Sequence, residues 1–242
     1  ANSLSSGQVL SSPYDAVKGK LIVREMTELL VLDLVRKGLV TKQMTLTVGY
    51  DRESIVAVRQ GSSMTDSVYN VAGTGRRYTG AVTPDGYGRP HPKHAHGTGN
   101  LDRYTSSTKT IMDVMMELYD RIIDTDLLIR RVNICACGLI PEGEIPQGAP
   151  EQLDLFTDYA AEERERAERA AAEDKERRIQ RATLALQAKY GKNALLKGMN
   201  LMEGGTTIER NQQIGGHRSG EKRTFSGAAK KAAEEKGGGR NG

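Results

Sequence analysis

The segment Thr-Lys-Gln-Met-Thr-Leu-Thr-Val-Gly-Tyr, residues 41–50, decides the fold because its apolar and polar side chains alternate strictly. Successive side chains of a β-strand point to opposite faces of a sheet, so this segment predicts a half-buried strand with one polar face. The apolar side consists of Met44, Leu46 and Val48, and the polar side consists of Thr41, Gln43, Thr45 and Thr47.

A second alternating segment runs from Leu127 to Ile140 and predicts another strand of the same kind. One side carries Val132, Ile134 and Ala136, and the other carries Arg131, Asn133, Cys135 and Cys137.

Two helices are predicted from apolar side chains at helical spacing. Asp15 is a favourable N-cap for the first helix, and Gly38 is placed to end it. A hydroxyl within residues 104–108 should cap the second, whose buried stripe runs from Ile111 to Ile122.

Short strands are also predicted at residues 7–10 and 76–79, which gives the order β-α-β-(β)-α-β. This order favours an α+β fold in which two helices cover one face of a mostly antiparallel sheet. The other face of the sheet is then polar and exposed to solvent. Residues 51–75 form a long loop, to which the hydrophobic pattern assigns no helix or strand.

The remainder of the chain has the composition of a linker, a charged helix and a tail. We predict a sheet domain over 1–140, a linker with a short peptide over 141–157, a helical region over 158–217 and a disordered tail over 218–242. Acidic residues precede basic ones by four positions along 160–190, which favours a solvated single helix.

The net charge of +4 is distributed unevenly: +3 in residues 1–140, −3 in 141–217 and +4 in 218–242. No run of eighteen apolar residues exists and residues 1–7 lack a secretory signal, so we expect no membrane partner. A disulfide between Cys135 and Cys137 would be strained in a strand, and two reduced thiols fit a cytoplasmic protein.

The polar strand faces predict a flat surface of hydrogen-bond donors, to which nearby cations add charge. Such a mixture suits backbone phosphates, and a helix N-terminus at Thr105–Thr108 also favours an anion. An ordinary solvated sheet face remains the alternative. The candidate DNA contacts are Thr45, Thr47, Arg76, Arg77, Lys93, His94, Arg103, Thr105, Ser106, Ser107, Lys109, Arg131 and Asn133.

Two other clusters contain side chains that can bind metal ions. His91, His94 and His96 have metal-ligand chemistry but no neighbouring Cys, so a basic loop beside a polyanion is favoured. Asp124 and Asp126 can hold Mg²⁺, yet they lie between a helix and a strand, where Asp is a common turn residue. We expect no catalytic residues, no metal site and no cofactor in this chain.

Residues 152–156 form a short apolar-ended peptide beside the linker. Its side chains can dock into the apolar groove of a partner protein, and packing against the parent domain is the alternative. The peptide consists of Gln152, Leu153, Asp154, Leu155 and Phe156.

Five segments in shared order resemble the C-terminal half of bacterial Y-family translesion DNA polymerases, most closely the ImpB/MucB/SamB branch. The segments are Ser5–Leu10, Thr45–Tyr50, His94–Thr98, Tyr104–Thr108 and Asn211–His217. The resemblance covers residues 1 to about 217. It implies that residues 1–140 are the little-finger domain and that residues 152–156 are the sliding-clamp-binding peptide.

The resemblance implies partners and a role as well. Damaged primer–template DNA and the sliding clamp are the expected partners of a monomer acting in DNA repair, the SOS response and mutagenesis. The palm, whose carboxylates would hold catalytic Mg²⁺ in the intact polymerase, is absent, so the chain should not synthesise DNA alone. The competing hypotheses are a metal-dependent enzyme using His91, His94 and His96, and a helical adaptor using residues 160–190.

Overall fold

A computed structural model describes residues 2–146, 159–214 and 217–218 of the chain. The described residues divide into two units, one that ends at Asn211 and one that begins at Gln212. The strands of the first unit are β1 (Ser3–Tyr14), β2 (Leu39–Tyr50), β3 (Ile55–Arg59), β4 (Val68–Val71), β5 (Val82–Pro84), β6 (Pro90–Pro92), β7 (Ala95–Thr105), β8 (Ile129–Cys137) and β9 (Ile140–Pro141). Its helices are α1 (Ala16–Lys37), α2 (Thr108–Ile122), α3 (Tyr159–Tyr190) and α4 (Thr207–Arg210).

The main sheet has the strand order β1-β8-β2-β7, and every pairing in it is antiparallel. The short strand β9 adds to the start of β2, where Leu39 is opposite Pro141. The predicted α+β fold is therefore confirmed, with β1, α1, β2, β7, α2 and β8 as its six main elements.

Helix α1 begins and ends at its predicted caps, and α2 begins at one of the predicted hydroxyls. The Asp15 carboxylate accepts a hydrogen bond from the Lys18 amide, and Gly38 adopts the left-handed conformation at φ 64° that ends α1. Ser107 caps α2 by accepting a hydrogen bond from the Thr110 amide. Fully buried side chains between these helices and the sheet include Ile22, Met26, Leu30, Leu34, Met44, Leu46, Met115, Leu118, Ile129 and Ile134.

The third strand of the sheet is not where the sequence predicts it. Residues 76–79 contribute only an isolated bridge between Asn70 and Arg77, whereas β7 supplies the sheet strand. Residues 51–94 form an insertion between β2 and β7. The insertion contains two separate hairpins, β3–β4 and β5–β6.

The helical region that follows the linker packs on the sheet domain up to Asn211, within the same compact unit. The Glu25 carboxylate of α1 is 2% exposed and accepts hydrogen bonds from Asn200 Nδ2 at 3.0 Å and the Thr206 amide at 2.7 Å. Arg210 donates to Gln8 Oε1 of β1 at 3.0 Å, and burial lowers the pKa of its guanidinium. Polar contacts thus attach residues 200–210 to α1 and β1.

In the second unit, the described residues form a small antiparallel pair of strands, β10 (Gln213–Ile214) and β11 (His217–Arg218). The predicted tail beyond residue 218 lies outside the described residues. Across residues 2–146, 159–214 and 217–218, no helix is long and apolar enough to cross a bilayer.

Candidate functional site

The open face of the main sheet carries four rows of side chains, which we call the polar face. Residues directly opposite each other in antiparallel strands point to the same side, so the pairing registers define these rows. Going from β1 to β7, the rows are Ser3–Cys137–Gln43–Asn100, Ser5–Cys135–Thr45–Thr98, Gly7–Asn133–Thr47–His96 and Val9–Arg131–Gly49. None of the side chains in these four rows is a carboxylate.

Hydrogen bonds between strands order part of the polar face. The Thr47 hydroxyl lies 2.8 Å from His96 Nδ1, and the Gln43 amide donates to Asn100 Oδ1 at 3.1 Å. Arg131 is exposed and has no ion-pair partner among the described residues. The face therefore offers hydroxyl, amide and imidazole groups together with one available guanidinium.

One predicted member of the polar face is buried instead. Thr41 is fully buried, and its hydroxyl donates to the Cys137 carbonyl at 2.6 Å. The register between β2 and β7 shifts between Thr41 and Gln43, and this bulge turns the threonine away from the open face.

The two thiols of the polar face are free, and their sulfur atoms lie 3.7 Å apart. Partial burial raises the pKa of the Cys135 thiol, and the neighbouring Cys137 raises it further. A raised pKa keeps this thiol neutral near pH 7, so it adds no negative charge to the face.

The N-terminus of α2 lies at one end of the sheet and is covered by α3. Glu176 accepts hydrogen bonds from the Ser107 hydroxyl at 2.7 Å and from the Lys109 amide at 3.0 Å. Glu173 forms an ion pair with Arg103, and Gln180 donates to the Ser106 carbonyl at 3.0 Å. Thr105 is buried and accepts a hydrogen bond from the Ser107 amide at 2.9 Å.

These contacts change the interpretation of the segment from Arg103 to Lys109. The helix N-terminus that the sequence offers to a phosphate already holds a carboxylate of the same chain, as its free amides and dipole favour. The prediction of a solvated single helix is wrong for the middle of α3, where Gln180 is buried. The Lys109 side chain remains exposed.

The remaining predicted contacts lie in the insertion. Arg76 forms an ion pair with Asp126, whereas Arg77, Lys93 and His94 are exposed. Lys93 and His94 immediately precede β7, so they approach the polar face at its His96 end.

The residues considered as metal ligands do not come together. His91 Nδ1 lies 2.7 Å from the Pro92 carbonyl oxygen, whereas His96 contacts Thr47. Asp124 accepts a hydrogen bond from the Asp126 amide at 3.0 Å, as in the predicted turn. Within the part of the chain that the structure describes, no three His, Cys, Asp or Glu side chains form a potential metal site.

Sequence reasoning missed the contribution of β7 to the polar face. Thr98 and Asn100 align with Thr45 and Gln43, and His96 aligns with Thr47. The alternation of His96, Thr98 and Asn100 is a visible signal, but Gly97 and Gly99 occupy the positions where apolar side chains would mark a strand.

The predicted clamp-binding residues Gln152, Leu153, Asp154, Leu155 and Phe156 lie outside the described residues. The segments on either side of them are attached to the sheet domain. Pro141 pairs with Leu39, and Glu142 forms an ion pair with Arg177 of α3 at 2.5 Å.

Comparison with known proteins identifies the family. Residues 1–155 match the family described as the impB/mucB/samB family C-terminal domain, and no curated protein matches the chain. A solved structure titled "Complex of beta-clamp processivity factor and little finger domain of PolIV" covers 64% of this chain and 99% of its own, at 8% identity and a TM-score of 0.33. At this TM-score and identity, the structural similarity supports no conclusion about what this chain binds. The family match extends over well more than half of the sequence, so the chain belongs to the impB/mucB/samB family and contains the C-terminal part of a Y-family translesion DNA polymerase.

Proposed function

We propose that the polar face binds the sugar–phosphate backbone of DNA and that this chain holds primer–template DNA for the polymerase. One observation carries the proposal: four aligned rows cross three or four strands, carry mainly hydrogen-bonding side chains and contain no carboxylate. Hydroxyl and amide groups fix the register of a phosphate backbone but do not read bases, which suits an enzyme that must accept damaged templates.

The few positive charges at the face are consistent with moderate, salt-dependent affinity for DNA. Arg131 lies in the row at one end of the face, and the insertion that carries Arg77 and Lys93 joins β2 to β7 at the same end. Each cation that neutralises a phosphate releases counterions, so affinity should fall steeply as salt concentration rises. The neutral donors add hydrogen bonds that salt screens less.

The face is held rigidly because its strands carry the main core on their other side. Leu46 and Ile134 are fully buried directly beside Thr45, Thr47 and Asn133. A donor set supported by a packed core loses little conformational entropy on binding, unlike a set of surface loops.

We further propose that residues 152–156 bind the sliding clamp. Their sequence supports this, since Leu155 and Phe156 are apolar anchors and Gln152 can fix register by hydrogen bonds. The peptide belongs to the same chain as the polar face, so a clamp bound to it would raise the effective concentration of DNA at that face.

The catalytic step belongs to other parts of the intact polymerase. We propose that Mg²⁺ held by palm carboxylates supports nucleotidyl transfer there. This chain, a monomer in the cytoplasm, binds the DNA and recruits the polymerase to the sliding clamp. Its cellular role would be damage tolerance, with induced mutagenesis in the SOS response as the consequence.

The test of the DNA proposal compares two arginine variants in duplex binding at several salt concentrations. Arg131→Ala should weaken binding and reduce the slope of log affinity against log salt by about 1, because one phosphate contact is lost. Arg24→Ala removes the same charge from an exposed position of α1, on the helix-covered side, and should leave the slope unchanged. Equal effects of the two variants would contradict a site on the polar face.

The clamp proposal has a separate test. The double variant Leu155→Ala/Phe156→Ala should abolish binding of the chain to purified sliding clamp, whereas Leu186→Ala, on α3, should not. Undiminished clamp binding by the double variant would contradict the proposal. DNA binding should be the same in both variants, which separates the two activities.

A further inference from the structure

The hairpin β5–β6 in the insertion ends in an unusually ordered tip, Asp85-Gly86-Tyr87-Gly88-Arg89. Asp85 Oδ1 accepts hydrogen bonds from the Tyr87 amide at 2.8 Å and the Arg89 amide at 2.9 Å. Asp85 Oδ2 accepts one from Arg89 Nε at 2.8 Å. These bonds hold the pKa of the Asp85 carboxyl down at about 2, so the carboxylate keeps accepting them below the usual pKa of an aspartate.

The base of the hairpin is anchored to the domain. Val82 packs on the hydrophobic core, its strand partner Pro92 is buried, and the Lys93 amide donates to the Ala81 carbonyl at 2.8 Å. Gly88 takes φ 76° to close the turn. The tip is therefore a fixed projection from the domain rather than a mobile loop end.

This fixed tip presents an aromatic ring to solvent. Tyr87 is 86% exposed, and the Arg89 guanidinium lies over its ring at 4.9 Å from the centroid. The cation covers one face of the ring, and the other face is free to stack. A rigid aromatic side chain loses little entropy when a planar partner stacks on it.

The charge at the base of the hairpin and its connection to the polar face favour a nucleic-acid base over a protein side chain. Lys93, which directly follows β6, is exposed and has no ion-pair partner among the described residues. The chain then leads directly into His96 of the polar face. Tyr87 and His96 are nine residues apart, so their Cα atoms lie at most about 32 Å apart. A single strand that leaves the face toward the hairpin would reach the tip within about nine nucleotides.

We infer that Tyr87 is a stacking platform for an unpaired base of DNA, positioned beside the backbone-binding face. The inference rests on the proposed function, because the polar face must hold the duplex for the ring to reach its single-stranded extension. Sequence-tolerant stacking of this kind uses the π-face that every base has. It would let the chain distinguish a duplex with a single-stranded template overhang from a blunt duplex.

The test measures fluorescence anisotropy of the full chain with a blunt duplex and with the same duplex carrying a single-stranded overhang. Tyr87→Ala should weaken overhang binding about tenfold, leave blunt-duplex binding unchanged, and leave the melting temperature unchanged because the side chain is exposed. Tyr87→Phe keeps the ring and should retain the overhang affinity. Tyr190→Ala is the matched control, since Tyr190 is also exposed and has the Lys189 ammonium 5.1 Å from its ring centroid.

The outcomes separate this inference from the proposed function. If the wild-type chain binds neither DNA, the proposed function fails and the inference fails with it. If the wild-type chain binds duplex DNA in a salt-dependent way but Tyr87→Ala binds both DNAs as the wild type does, only the inference is overturned. An equal loss on blunt duplex and overhang, or an equal loss in Tyr190→Ala, would also overturn it.

Discussion

Replacing Glu25 by Ala should destabilise the first compact unit more than any surface substitution in the same region. The carboxylate is buried on α1 and accepts hydrogen bonds from Asn200 Nδ2 and the Thr206 amide. A hydrogen bond to a charged group contributes about 1.5–3 kcal/mol, and removing the acceptor leaves the part-buried Thr206 amide without this partner and Asn200 Nδ2 with only the Thr207 hydroxyl. The expected loss of unfolding free energy is therefore about 3–5 kcal/mol.

The assay is urea unfolding followed by circular dichroism, together with hydrogen exchange of the Thr206 amide. The loss corresponds to a fall of about 1–2 M in the urea midpoint, and the Thr206 amide should exchange much faster. Glu203→Ala is the matched control. It removes a carboxylate that links the same two segments through Lys18 at 2.6 Å, but Glu203 is fully exposed, so the midpoint should hardly move. A loss below about 1 kcal/mol for Glu25→Ala, with unchanged exchange at Thr206, would show that these hydrogen bonds do not hold residues 200–206 on α1.

Three further predictions concern other parts of the unit. Gly19→Ala should lower the unfolding free energy of the unit by about 1–3 kcal/mol although Ala favours helices, because the new Cβ would lie 2.2 Å from Ile129 Cδ1. Thermal unfolding measures this loss. Gly198→Ala is the control, because a Cβ at Gly198 meets no other atom within 4 Å. Glu176→Ala should free the N-terminus of α2, so that the Lys109 amide exchanges faster while β2 amides do not; unchanged exchange at Lys109 would show that α3 is not held there. Lowering the pH should disorder the β5–β6 tip only below about pH 4. The pKa of the Asp85 carboxyl is 3.8 in the unfolded chain and about 2 in the folded one, so its stabilisation is complete above pH 3.8. This stabilisation is lost as the pH falls toward 2 and the carboxyl is protonated. NMR of the Tyr87 and Arg89 amides follows this transition, and disorder already at pH 6 would contradict it.

The alternating strands were predictable because each has one face on the core. In β2 and β8 the buried positions hold large aliphatic side chains, so period-two alternation is visible in the sequence. In β7 the corresponding positions are Gly97 and Gly99. A Cβ at Gly97 would lie 2.7 Å from Leu118 Cδ1, and one at Gly99 would lie 2.5 Å from Val114 Cγ1. The close approach of α2 requires glycine there, and glycine conceals the strand from a propensity-based prediction.

The contacts of α3 were not predictable from spacing alone. The sequence pairs Glu173 with Arg177, four residues later, but the structure pairs Glu173 with Arg103 and Arg177 with Glu142. Asp174 and Arg178 do form the expected pair at 2.6 Å. Local spacing identifies which charges can meet within a helix, whereas partners far along the chain depend on tertiary packing.

The buried Glu25 illustrates the same limit. It lies among apolar residues on a helix stripe, and nothing nearby in the sequence indicates that Asn200 and Thr206, more than 170 residues later, supply its hydrogen bonds. For the candidate site, the polar residues of β2 and β8 other than Thr41 were identified correctly as members of one face, and the role of that face in DNA binding stays a prediction.

NMR titration of the chain with a short blunt duplex shows directly whether the polar face binds DNA. If it does, the amide signals of Thr45, Thr47, Arg131 and Asn133 shift together as DNA is added, and the shifts diminish at higher salt. The amide signal of Arg24 on α1 then stays in place. Shifts concentrated on α1, with unchanged signals from the polar face, would rule out DNA binding at this face.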